Sequence, residues 1–253
     1  MILTIDIGNS NITFGVFDGE ELVKKFCLPS NYAVSDFEYG EKIKEQTDGF
    51  NISGCVIASV VTGLDLRFKN FLDKQFSLNS LVLTYDLPLG LKIKTDVPQE
   101  LGADRIANSF GAVELYHENC VIVDFGTATT VEIVTKNKEF LGGLITAGIN
   151  IQLGALSSQT SKLPEVKISA PQKLIATDTV DAMLAGVVYG TASMAEGVVR
   201  RYKNELAPEK FIVIATGGLS EFISSYTENL FDYVVPDLTL YGLLKIYEKV
   251  KVR

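Results

Sequence analysis

Two similar α/β halves, a duplicated mixed sheet with flanking helices, are the fold that this sequence predicts, and three observations predict it. An apolar run, Ile2 to Ile5, enters Asp6-Ile7-Gly8-Asn9-Ser10-Asn11 and leaves through Ile12-Thr13-Phe14; a second, Val121 to Val123, enters Asp124-Phe125-Gly126-Thr127-Ala128-Thr129-Thr130 and leaves through Val131 to Val134. Each turn belongs to a run of three strand-like segments, after which helical and strand-like patterns alternate. The 253 residues, 47% of them hydrophobic, exceed the usual single-domain size of about 100–200 residues and can fill two cores. The expected division is 1–114 and 115–253.

In the first half, Thr13 to Phe17 follows the opening strand, and Asp18-Gly19 is a hairpin signal into a third strand, Glu21 to Leu28. The polar stretch Asn31 to Gly49 has room for a short helix near Phe37 to Glu45. Val56 to Val61 reads as a buried strand, Leu64 to Gln75 as a helix and Leu81 to Thr84 as a short strand. Pro88 and Gly90 mark the loop that leads through Leu91-Lys92-Ile93 toward Pro98. Ile106, Phe110 and Val113 then recur at helical spacing, which sets Gly102-Ala103-Asp104-Arg105 in the first turn of a helix.

The second half repeats the meander with Val121 to Val123, Thr130 to Val134, a turn at Lys136-Asn137-Lys138, and Phe140 to Ile145. Gly142-Gly143 and Ala147-Gly148 permit close backbone approach around Leu144-Ile145-Thr146. A weakly patterned, mobile piece from Ser157 to Gln172 precedes the longest helix, about Thr179 to Leu206, whose Val180, Met183, Leu184, Val187, Met194 and Val198 keep one apolar face. Gly186 and Gly190 lie one turn apart on it, and close helix packing would offset the cost of about 1 kcal/mol for each against alanine. Phe211 to Ala215 is a strand ending in Thr216-Gly217-Gly218-Leu219-Ser220, and a last helix, Leu238 to Val250, closes the second half.

The two Asp-x-Gly turns carry the chemistry. A glycine two residues after each aspartate permits backbone angles or a close approach that a Cβ would obstruct, and the hydroxyl and amide side chains beyond it can donate to anionic oxygens. A carboxylate repels phosphate, so its presence at the same turn argues for a cation between them, Mg²⁺ or a monovalent ion. Taken singly, each turn also reads as a polar hairpin whose Asp and Gly serve geometry; two in matching contexts point to a nucleotide polyphosphate held between two half-sites. Asp104 has an ordinary role as an acid in a helix's first turn, worth about 0.3–1 kcal/mol.

A net charge of −8 without a basic run disfavours nucleic acid or an anionic membrane as the main partner. The chain starts on a strand, and the uncharged stretch Ala182 to Ala195 is shorter than the ~18–20 residues of a membrane span, so a soluble cytoplasmic protein is expected. Cys27, Cys55 and Cys120 lie in or beside apolar strands and are expected as reduced core thiols. His117 is the single histidine and is expected in a solvated loop, which leaves any proton transfer to a carboxylate.

Asp6-Ile7-Gly8-Asn9-Ser10, Gly102-Ala103-Asp104-Arg105, Asp124-Phe125-Gly126-Thr127-Ala128-Thr129-Thr130, Gly142-Gly143-Leu144-Ile145 and Thr216-Gly217-Gly218 stand in the order and approximate spacing of type III pantothenate kinases, and the sequence resembles that family over nearly its whole length. The resemblance implies two ribonuclease H-like domains that close on ATP, as in the superfamily of acetate and sugar kinases, heat-shock chaperones and actin. It implies ATP-dependent phosphorylation of pantothenate to 4'-phosphopantothenate, the first step of coenzyme A biosynthesis; another small-molecule kinase of the superfamily and a non-catalytic ATP-binding regulator are the alternatives.

The roles that follow are Asp6 on Mg²⁺, directly or through water; the turn Asp6, Ile7, Gly8, Asn9, Ser10, Asn11, Ile12, Thr13, with Thr127, on the ATP phosphates; and Asp124 on K⁺ or NH₄⁺. Asp104 would accept the proton of the pantothenate hydroxyl, with Gly102, Ala103, Arg105 and Thr179 on that substrate. For Thr179, helix capping is a compatible second role. Thr216-Gly217-Gly218 would lie on the adenosine side, and the long helix would help to form a homodimer. One departure is Thr95, which stands where many members carry an aromatic residue.

Overall fold

Apolar side chains recurring at every second position give the opening strand one face for a core, and β1 (Ile2–Ile7) sends Leu3, Ile5 and Ile7 into it. β1 pairs antiparallel with β2 (Asn11–Asp18), and β2 with β3 (Glu21–Pro29). α1 (Asp36–Gln46) begins at Ser35, whose hydroxyl accepts the Glu38 N–H at 3.2 Å and so satisfies one orphan donor. β4 (Gly54–Ser59) lies parallel to β1, and α2 (Leu64–Phe76) leads to β5 (Leu81–Val82), parallel to β4. A short β6 (Lys92–Ile93) and α3 (Ala103–Tyr116) follow.

The pattern then recurs. β7 (Cys120–Phe125), β8 (Ala128–Val134) and β9 (Glu139–Ala147) form an antiparallel meander, and β10 (Ile212–Thr216) and β11 (Tyr233–Val234) add in parallel beside β7. The strand order is β3-β2-β1-β4-β5 in the first sheet, and the corresponding five strands of the second run β9-β8-β7-β10-β11. Two sheets with one order and one pattern of strand directions are two ribonuclease H-like units, as expected.

The computed structural model describes residues 1–251 and divides into two compact units, Met1–Tyr116 with the segment from Leu238 onward, and His117–Asp237. The expected cut after residue 114 therefore lies two residues early, and one element changes sides. The last helix, α7 (Leu238–Lys251), does not close the second unit but belongs to the first, where Leu240 and Leu244 pack with Phe17. It meets α3 where Gly111 faces Gly242: a Cβ on Gly111 would stand 2.7 Å from the Gly242 Cα, and one on Gly242 2.7 Å from the Ala107 carbonyl carbon. Gly242→Ala is accordingly expected to destabilise by about 1–3 kcal/mol through overpacking, and thermal unfolding would register it.

The second core is built on Val121, Val123, Phe125, Val131 and Ile133 under α5 (Thr179–Glu205), which contributes Met183, Leu184, Val187 and Val188, while Val180, expected on that face, is 43% exposed. α5 is 27 residues long and reaches a mean hydropathy of 1.3 over an 18-residue window, enough in length and composition to cross a membrane. Half of that window is buried inside the protein, as in a core helix. α4 (Ile149–Ser158), between β9 and the stretch expected to be mobile, was not anticipated: Ile149, Ile151 and Leu153 alternate with Asn150, Gln152 and Gly154 and imitate a strand.

Cys55 and Cys120 are core thiols, pushed up to about 12 by burial, but Cys27 is exposed on β3, contrary to the expectation of three buried cysteines. His117 is exposed just past α3 with φ of 55°, a left-handed residue ending a helix.

Candidate active site

In a sheet whose central strands are parallel, ligand groups collect at the strands' carboxyl edge, and both Asp-x-Gly turns sit there. In the first unit Asp6 lies near the end of β1, half-buried, opposite Thr13 on β2. The turn closes with the Gly8 N–H donating to the Asn11 carbonyl at 3.0 Å, and Asn9, Ser10 and Asn11 are exposed. Ile7 and Ile12 have fully buried side chains, so these two members of the expected phosphate turn have only backbone to offer a ligand.

The segment Gly102 to Arg105 reaches this same edge. The Val60 N–H, just past β4, donates to the Ile7 carbonyl at 3.1 Å, and a Cβ on Gly102 would lie 3.4 Å from Val60 Cγ1. Asp104 is half-buried in the first turn of α3, and its Oδ1 accepts the Arg105 N–H at 2.7 Å. Burial pushes its carboxyl above the usual aspartate range, against the pull of that N–H and of the Arg105 charge. A carboxyl so placed is a better proton acceptor than an ordinary exposed aspartate. The Thr95 hydroxyl oxygen is buried without a hydrogen-bond partner among the described residues.

In the second unit Asp124, one residue before the end of β7, and Thr216, the last residue of β10, lie side by side in parallel strands. The turn is one residue tighter than its copy, with the Gly126 N–H donating to the Ala128 carbonyl at 3.1 Å. Neither Gly8 nor Gly126 has a positive φ, so backbone freedom is not what these positions require. Gly217 does, at φ of 89°. A Cβ there would press into Asp124 Oδ1 and lie 2.8–2.9 Å from Phe125 backbone atoms. The Leu219 N–H donates to the Phe125 carbonyl at 3.2 Å, so Thr216-Gly217-Gly218 is folded directly over Asp124. The Gly148 N–H donates to the Thr127 carbonyl at 3.2 Å, and Thr127 is exposed.

Thr179 is the exposed first residue of α5. The cap is its neighbour Asp178, whose Oδ1 accepts the Asp181 N–H at 2.9 Å, which corrects the expectation that Thr179 caps. Sequence reasoning placed Thr130 in the second turn but gave it no role of its own, although it is the threonine opposite Asp124. Aligning the two copies on their outgoing strands rather than on their aspartates would have found it.

No group of three or more His, Cys, Asp and Glu among the described residues could hold a metal ion by itself. The donors present are nonetheless those of hard cations: a single carboxylate beside hydroxyls suits Mg²⁺, which takes its remaining ligands from phosphates and water. At the second turn the oxygen donors are the Asp124 carboxylate and, opposite it in the ladder, Thr130.

Duplicated ribonuclease H-like sheets with an Asp-x-Gly turn at each carboxyl edge define an actin-like ATPase fold. A ROK family glucokinase from Streptomyces griseus has this fold, with a TM-score of 0.55 at 14% identity over 96% of this chain and 98% of that one. A solved Baf family protein from Campylobacter jejuni is nearer, with a TM-score of 0.64 at 26% identity over 99% and 100% of the two chains. The family model for type III pantothenate kinases matches residues 2–201. A type III pantothenate kinase from Bacillus cytotoxicus is 39% identical over 98% of this chain and 96% of its own. The chain belongs to the type III pantothenate kinase family.

Proposed function

We propose that the protein transfers the γ-phosphoryl group of ATP to the primary hydroxyl of pantothenate, giving 4'-phosphopantothenate for coenzyme A synthesis. The observation that carries this is the presence of a half-buried Asp104 with a raised proton affinity at the same sheet edge as the Asp6 turn, in a chain of this family. Phosphoryl transfer runs through a loose transition state, so the protein's task is to align donor and acceptor and offset oxygen charge. Asp6 would hold Mg²⁺, directly or through water, and the Ser10, Asn11 and Thr13 side chains with backbone groups of Ile7, Gly8, Asn9 and Ile12 would meet the phosphates, together with Thr127. Asp124 would hold K⁺ or NH₄⁺. When bound, these cations supply the positive charge that lets phosphate oxygens approach carboxylate-bearing turns. Asp104 takes the hydroxyl proton, and Gly102, Ala103, Arg105 and Thr179 hold pantothenate.

A homodimer and a cytoplasmic location go with this reading. The support for the dimer is the outer face of α5, where a Cβ on Gly186 or Gly190 would meet nothing within 4 Å. The close packing that these glycines permit is thus not used within the chain, and a second copy would use it. A monomer that is fully active in sedimentation at assay concentration would remove that part.

The deciding measurement is ADP release by purified protein with MgATP, with and without pantothenate, and the mass of the product. Pantothenate-dependent ADP with a phosphopantothenate product is expected; ADP release with a different acceptor only, or ATP binding without turnover, would reject the reading. In the same assay, replacing K⁺ by Na⁺ is expected to cut turnover by at least about tenfold, because a carboxylate facing phosphate without its counter-ion is strongly unfavourable in a partly dry site. Full rate in potassium-free Na⁺ buffer would remove the role given to Asp124.

A further inference from the structure

The two turns are copies, but the strands that leave them differ at one position. In the first unit Thr13 faces Asp6, and two residues on stands Gly15. In the second Thr130 faces Asp124, and two residues on stands Glu132. Residues opposite one another in a ladder share a face, as do residues two apart in a strand. Asp124, Thr130 and Glu132 therefore lie together, on the face of the sheet away from Val121, Val123, Val131 and Ile133 of the core. Glu132 is fully buried, and the Thr130 hydroxyl donates to its Oε1 at 3.2 Å. A carboxyl in mid-strand is costly to bury unless other groups make use of it.

We propose that Glu132 is a positioning residue for the monovalent cation at the second turn. By taking the Thr130 proton into its own hydrogen bond, it turns that hydroxyl's lone pairs toward an ion held at Asp124. The inference rests on the reading of Asp124 as the cation turn. It also accounts for the division of labour between the copies. The first turn, with Gly15 in the equivalent place, has a single carboxylate and suits an ion whose other ligands are phosphate oxygens and water. The second turn carries a buried carboxyl behind its threonine and suits an ion held chiefly by the protein.

Glu132→Gln keeps the size but can donate to Thr130 as well as accept from it, so it no longer fixes the direction of the hydroxyl proton, and Thr130→Val removes the hydroxyl at constant shape. The readout is the rise in Tm with KCl against choline chloride at equal ionic strength, with and without a non-hydrolysable ATP analogue, alongside the K⁺ dependence of turnover. Removing a group that orients a metal ligand typically costs about 10–100-fold in metal affinity, and the K⁺ concentration at half-effect is expected to rise by that factor in Glu132→Gln and in the same direction in Thr130→Val. KM for pantothenate at saturating K⁺ is expected to stay near the parent value, which a general loss of fold would not allow. If Glu132→Gln does not fold, Thr130→Val decides alone. Unchanged K⁺ half-effects in a K⁺-responsive protein would overturn the role of Glu132. A parent with no K⁺-specific rise in Tm and full turnover in Na⁺ would overturn the assignment of Asp124 itself, and this inference with it.

Discussion

Asp104→Asn is expected to abolish pantothenate-dependent turnover while ATP still binds. Removing a positioned general base costs about 10²–10⁴-fold in rate, and the asparagine retains the size and one acceptor, so kcat should fall far more than ATP affinity. The raised proton affinity of Asp104 adds a second expectation. A carboxyl whose folded value lies above its unfolded one contributes stability that is present below the unfolded value and is lost as pH rises through the folded one. At neutral pH the charged group therefore weakens the fold. Asp104→Asn should unfold at the same or a higher temperature than the parent near neutrality, with the difference closing as pH falls through the aspartate range. The acid limb of the parent's kcat/KM profile should likewise lie above that range. Near-normal kcat in the variant would show that another group takes the proton.

Gly217→Ala is expected to be a severely damaging single-methyl change at the second turn. Its Cβ would press into Asp124 Oδ1 and stand 2.8 Å from the Phe125 carbonyl carbon, at a φ of 89° that alanine rarely adopts. Either the carboxylate moves or the loop lifts away, and a displacement of about 1 Å at a site of this kind costs about 10²-fold in kcat/KM. Gly126→Ala places its Cβ at an ordinary 3.4 Å from the same oxygen and should lose far less. Equal kcat/KM for the two variants would mean that the loop does not set the position of Asp124.

The duplication was legible because it is written in the covalent order: apolar strand, Asp-x-Gly turn, apolar strand, twice. So were the helix start at Asp104 and the long helix α5, since a strong 3.6-residue period survives without knowledge of what covers it. What escaped was whatever depends on a partner distant in the chain. The apolar face of α7 carries no address, and Gly242 acquires meaning only when it meets Gly111 and Ala107. Cys27 sits in an apolar-looking run, yet alternation along β3 turns it outward. Gly217 read as a loop for a ligand's adenosine, whereas its sharpest constraint is the neighbouring carboxylate. Glu132 stood unnoticed between Val131 and Ile133 because a lone charge in a strand looks like an outward residue until its burial is known.

The return of α7 to the first unit has a consequence for how the protein is made. The first unit is written in two separate stretches, with the second spliced between them, so a chain leaving the ribosome has every strand of the first sheet in hand early but must wait for residues 238–251 before the α3 face has its cover. The second unit, continuous from His117 to Asp237, can close while the first is still open. Order of synthesis and order of completion are thus reversed, and a chain cut short by its final fourteen helical residues would lose its beginning rather than its end.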